Sequence, residues 1–136
     1  MIAYPEMRIY MIESIRTLAD EDYQRRVWIN GDMPNHNYED CFDFAINCLF
    51  DDLALNTDGA KAIGAILKDE VELTAVQNLV KVLDELIDRV GQDKPDTDFV
   101  NSQEWPMILR AAKNAYKLLT NGKDPQGMFE EKQKAG

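Results

Sequence analysis

Between Val76 and Val90 the apolar residues Val76, Leu79, Leu83, Leu86 and Val90 recur at alternating three- and four-residue steps. That rhythm is the period of one face of an α-helix, and it runs too long to be a strand. Gly91 follows as a left-handed stop, and Pro95 comes shortly after. The seam serves a core or a dimer equally well, so the rest of the chain decides what covers it.

That rest is helical in pattern almost throughout. Met7, Met11, Ile15 and Leu18 form a stripe with Ile12 beside it, and Pro5 sits where a first turn tolerates proline, which predicts a helix over about residues 5 to 19. Asp20 reads as an N-cap, with Glu21 and Asp22 in a first turn that favours negative charge, and a second helix continues to about Ile29. Asn30-Gly31 and Pro34 stop it. A third helix, capped by Asn35 or Asn37, is expected through Leu53, and a short fourth from Gly59 to Lys68 behind Asp58. After the long helix, the QDKPDTDF stretch reads as a loop leading to Asn101 or Ser102. The last helix turns Trp105, Ile108, Leu109, Ala112, Tyr116 and Leu119 inward, tolerates Pro106 in its first turn, and closes at Gly122. No strand pattern of comparable length is present, so the expected class is all-α, a compact irregular bundle of five or six helices. Residues 1–122 read as a single helical domain. The tail, 123–136, has only Met128 and Phe129 as large apolar residues, which predicts fraying or disorder.

Charge narrows the range of functions. The formal net charge is −10, which opposes nucleic acid and anionic membrane as partners, because both require a cationic surface. No apolar window of about 18 residues exists to span a bilayer, and the N-terminal run carries Glu6 and Glu13 with no basic region ahead of it. It is therefore no signal peptide, and the expected location is the cytoplasm. The imbalance is uneven: residues 36 to 60 hold six acidic side chains and no basic one. The third helix and its exit form the electronegative pole of the chain.

That same region holds the one histidine and both cysteines, so a metal site is the first chemistry to test. On a helical wheel Cys41 and Cys48 fall within or beside the apolar stripe of Phe42, Ile46 and Leu49, where a free thiol behaves as a small buried hydrophobe. Seven residues of helix at about 1.5 Å each separate them too far to form a disulfide. His36 lies ahead of the helix, five residues from Cys41, a spacing no zinc motif uses. A Cys41–His36 nucleophile is disfavoured too, since a thiolate needs an electropositive setting and this one is acidic. Neither serine, Ser14 nor Ser102, has a base at hand besides that histidine. A calcium loop starting at Asp93 fails because Pro95 and Thr97 occupy ligand positions and Asp98 stands where glycine is needed. GxGxxG, GxxxxGK[ST] and HExxH are all missing from the sequence. No cofactor and no catalytic residue is expected.

Arg25 and Arg26 precede Trp28, and Asp51 and Asp52 follow Phe50. If the second and third helices pack antiparallel, these four form structural ion pairs that fix the hairpin. Trp28 and Trp105 sit in helical apolar patterns and read as core anchors.

The strings YQRRVWINGDMP, YEDC, CLFDD, ILKDEVE and SQEWPMILRAA, spread over about residues 8 to 120, together resemble a family of small acidic bacterial proteins with no known activity. The resemblance supplies no site residues; it implies a bacterial, cytosolic, stand-alone domain. Toxin-neutralising immunity proteins are similar in size and acidity, by analogy only.

Two functions remain. One is a protein-binding module of immunity or regulatory type, monomer or homodimer, that presents His36, Tyr38, Glu39, Asp40 and Asp43 to a basic protein. The other is a small enzyme or metal binder using His36 with the carboxylates of the third helix. The first accounts for the charge distribution and is the expectation carried forward.

Overall fold

Pro5 starts the first helix, α1 (Pro5–Ala19), at a position where its missing N–H leaves no bond unmade. The computed structural model describes residues 2–31, 41–55, 59–91 and 94–120. Asp20 then turns to extended backbone and accepts the Tyr23 N–H at 3.2 Å, the cap its position predicts. The second helix, α2, runs as an α-turn over Glu21–Tyr23 and as wider π-helical turns over Gln24–Ile29. The third, α3, repeats that switch, with Phe42–Ile46 as α-helix and Asn47–Asp52 as π-helix. Cys41 is extended just ahead of α3, so the helix starts later than a cap at Asn35 or Asn37 would place it. Its far end closes with Ala54 at φ 49° while Leu55 N–H bonds back to the Leu49 carbonyl at 3.0 Å. An alanine thus occupies a left-handed position that glycine fills without strain.

The helix expected from Gly59 to Lys68 is one 3-10 turn, Gly59–Ala62, followed by a tight turn in which Gly64 has φ 88°. The reason is tertiary. The Gly64 and Ala65 carbonyls accept from Ala3 and Tyr4 at 2.9 and 2.8 Å, and the Ile66 carbonyl accepts from Arg8, so these groups serve the N-terminus instead of a local helix. Gly59 packs against the next helix so closely that a Cβ there would sit 2.4 Å from Gln77 Nε2.

That next helix, α4 (Glu70–Val90), is the periodic segment, capped by Asp69 on the Glu72 N–H at 3.0 Å and stopped by Gly91 at φ 105°. Val76, Leu79, Leu83 and Leu86 are buried, as their spacing requires. A short helix, α5 (Asp96–Val100), occupies the stretch expected to be loop. Pro95 precedes it, Asp96 and Asp98 sit in its first turn, and burial of Phe99 and Val100 holds it. The last helix, α6 (Trp105–Leu119), begins after Glu104, beyond the expected Asn101 or Ser102. Its expected stop at Gly122, and the tail 123–136, lie outside the described residues.

The fold is thus an all-α bundle of six helices, with no strand among the described residues. The core is a layer of α1, α6 and α4. Arg8 near the start of α1 bonds the Leu119 carbonyl at the end of α6, and Trp105 at the start of α6 reaches Gln24 just past the end of α1. Arg89 near the end of α4 meets Glu104 before α6, so α6 runs antiparallel to both neighbours. No helix among the described residues is long and apolar enough to cross a membrane.

Two polar devices lock this layer at opposite ends. At one end Arg8, 9% exposed, gives Nη1 to the Ile66 carbonyl and Glu72 Oε1, both at 2.8 Å, and Nη2 to Glu72 Oε2 at 2.9 Å and the Leu119 carbonyl at 3.2 Å. Glu72, 5% exposed, also accepts the Lys68 N–H at 2.7 Å. Arg8, rather than Met7, therefore fills the first inward position of α1, and Met7 lies exposed. At the other end Gln24 is fully buried; it donates to the Thr17 carbonyl at 2.8 Å and accepts from Trp105 Nε1 at 2.9 Å. Trp28, Phe42, Trp105 and Phe99 pack there, with Trp28 and Trp105 edge-to-face at 6.4 Å. Both tryptophans are core anchors.

Candidate acidic groove

α3 carries Asp43, Ile46, Asn47, Phe50 and Asp51 at three- and four-residue steps, which puts them on one side of the helix. That side does not meet the core. It faces the second half of α4 across an open groove of about 430 Å³. α3 itself packs on α1, and its start is pinned where Asp96 Oδ2 accepts the Phe42 N–H at 3.2 Å. Separation of the two helices leaves a floor of Phe42, Ile46, Phe50, Ile87 and Phe99. Phe42 and Phe99 are buried beneath it; the other three are half-buried.

The rim has one sign of charge. Asp43 and Asp51 stand on the α3 side, Asp84 and Asp88 on the α4 side, and all four are exposed. Among the described residues no lysine or arginine lines the groove, and none of the four aspartates has an ion-pair partner. Arg89, next to Asp88 in sequence, is taken up by Glu104 in a two-point contact whose Nη2–Oε1 arm is 2.8 Å. Asp84 and Asp88 lie one helical turn apart, a like-charge spacing that costs an isolated helix a few tenths of a kcal/mol. The arrangement has an apolar bottom, an anionic lip and no counterion among the described residues.

The residues singled out in the sequence separate here. Asp43 and Asp51 belong to the groove. The expected ion pairs of Arg25 and Arg26 with Asp51 and Asp52 are not formed: Arg25 pairs with Glu21 at 3.6 Å, Arg26 lies over the Tyr23 ring at 6.0 Å, and Asp52 accepts from Tyr10 Oη at 2.7 Å. The cause is packing, because α3 lies on α1 instead of along α2 and so delivers Asp52 to the middle of α1. His36, Tyr38, Glu39 and Asp40 lie outside the described residues. Asp84 and Asp88 are not among the residues the sequence singles out: the Asp-x-x-x-Asp pair around Ile87 marks a solvent-facing turn of the helix, but nothing in it says which other helix that turn faces.

Neither thiol is shifted towards the thiolate. Burial pushes the Cys48 thiol up, with the charge of Asp52 adding to it against hydrogen-bond contacts with Ser14 and Tyr10. Cys41 is raised likewise, first by burial and then by the charges of Asp96 and Asp43, against opposing backbone contacts. The Tyr10 phenol is pushed well above its ordinary value, chiefly by its hydrogen bond to Asp52 and then by burial. Among the described residues no three histidine, cysteine or carboxylate side chains are grouped to hold a metal ion.

Neither a curated protein nor a solved structure matches the chain. The model of the family described as Domain of unknown function (DUF7945) matches residues 2–126, and the chain belongs to that family.

Proposed function

We propose that this chain is a protein-binding module, of immunity or regulatory type, whose α3–α4 groove receives a basic partner. The observation that carries this reading is the rim of four exposed aspartates, without counterions among the described residues, around an apolar floor. Carboxylates of one sign make the local potential negative and steer a cationic surface towards the groove. Apolar floor residues then supply area that a purely electrostatic contact lacks. The net charge of −10 adds long-range attraction for the same partner.

A labelled oligolysine peptide, followed by fluorescence anisotropy, tests the electrostatic half of this function. Binding is expected to weaken at least tenfold between about 20 and 500 mM salt, as screening shortens the reach of the rim charges. It is expected to weaken similarly when Asp43, Asp51, Asp84 and Asp88 are all changed to Asn. Affinity indifferent to both salt and the fourfold variant would sink the proposal.

A further inference from the structure

We infer that the occupant of this groove is an amphipathic helix of a foreign protein, with an apolar side chain anchored on the floor and lysines or arginines one turn to either side. The inference rests on the binding role proposed above and names its ligand.

The groove walls decide the conformation. Its α4 wall belongs to a 21-residue helix and its α3 wall to another helical run, so backbone groups there bond along their own helices. Even the N–H of Phe42, at the start of α3, is taken by Asp96. An extended segment laid into the groove would bury N–H and C=O groups with nothing to receive them. The described residues hold no strand edge for such a segment to join. A helix arrives with its own backbone bonds made and presents only side chains, which is what the walls offer in return.

The lining decides the side chains. Phe42, Ile46, Phe50, Ile87 and Phe99 leave apolar surface at the bottom of the groove, which suits an aromatic or branched aliphatic anchor. Asp84 and Asp88 are one turn apart on one wall, and Asp43 and Asp51 about two turns apart on the other. A helix with basic residues at i−4 and i+4 around its anchor sets cations opposite both walls.

Charge decides the source. The chain has a cationic helix face of its own, since every charged residue of α6 is basic: Arg110, Lys113 and Lys117, with Met107 exposed beside them. A second copy would bring that face on a body of net charge −10 to a rim that is already anionic, so repulsion between the bodies opposes the contact. A foreign basic protein has no such penalty.

The test uses the full chain and three labelled synthetic peptides of about 18 residues. One is a lysine-rich amphipathic helix with phenylalanine and leucine on one face. The second has the same composition scrambled out of helical register, and the third replaces each lysine by glutamate. The helical peptide is expected to bind at least tenfold tighter than its scramble, to gain helical circular dichroism on binding, and to lose affinity at least tenfold to the Asp84→Asn/Asp88→Asn protein. The acidic peptide is expected not to bind. Equal affinity for helix and scramble would overturn this inference and leave the basic-partner role standing. No aspartate-dependent binding of either basic peptide would overturn both. Sedimentation of the protein alone supplies the remaining outcome: self-association abolished both by Asp84→Asn/Asp88→Asn and by Lys113→Glu/Lys117→Glu would overturn the foreign source in favour of a second copy.

Discussion

The Arg8–Glu72 clasp and the α3–α4 groove spend charged residues in opposite ways. The clasp buries one guanidinium and one carboxylate, and together they bond three further backbone groups. The groove exposes four carboxylates and pairs none of them among the described residues. Charge sequestered from water is costly unless every hydrogen bond is made, whereas charge left in water costs the fold little and remains free to act on something else. The difference separates the carboxylates that hold the protein together from those the fold leaves exposed to solvent.

The comparison breaks most sharply at Glu72. Glu72→Ala strands the Arg8 guanidinium in the interior, and an expected loss of about 3–5 kcal/mol should be read in urea or thermal unfolding. Its pH dependence has a definite sign. Burial, the largest single influence on Glu72, works to raise its pKa, but the hydrogen bonds from Arg8 and the Lys68 N–H, with the charges of Arg8 and Lys68, hold it below the ordinary 4.5. A carboxyl depressed in the fold stabilises above its unfolded value and loses that contribution as pH falls through its folded value. A Glu72→Gln protein should therefore show a flatter loss of stability in acid than the native chain.

At the opposite end of the layer, Gln24→Leu leaves the buried Trp105 indole N–H without its acceptor, and a loss of about 1–3 kcal/mol is expected by the same measurement. Ala54→Gly should go the other way, gaining about 1 kcal/mol by relieving the left-handed alanine that ends α3. The smallest stability effect belongs to the groove. Asp84→Asn with Asp88→Asn should shift unfolding by less than about 0.5 kcal/mol, upward in sign because a like-charge pair one turn apart is removed. A large destabilisation from that double change would erase the distinction between clasp and groove.

Much of the fold was legible because its signals are local. The three- and four-residue rhythm of α4, the Asp20 cap, Pro5 and Pro106 in first turns, and the Gly91 stop each act within a few residues of themselves. Residues 59–68 were misread because their carbonyls are claimed by Ala3, Tyr4 and Arg8, far away in sequence. The short helix α5 was hidden by Pro95 and its aspartates, which spell a loop until Phe99 and Val100 are buried. The π-helical turns of α2 and α3 have no pattern in the sequence that announces them. For the site, the electronegative character of α3 could be read, and Asp43 with it. Its partner wall could not, because nothing in one helix states which other helix it will face. An antiparallel α2–α3 pairing is an expectation of that kind, and because α3 packs on α1 instead, the ion pairs of Arg25 and Arg26 with Asp51 and Asp52 do not form.

Because one guanidinium holds the start of α1, the start of α4 and the end of α6 together, none of these three helix ends can fray without releasing the other two. Amide protons of these three helices are then expected to exchange with solvent only when the whole domain opens, while those of α3, which lies outside the clasp, exchange through a smaller local opening. If exchange follows that order, the α4 wall of the groove is the more rigid of the two and the α3 wall the more compliant.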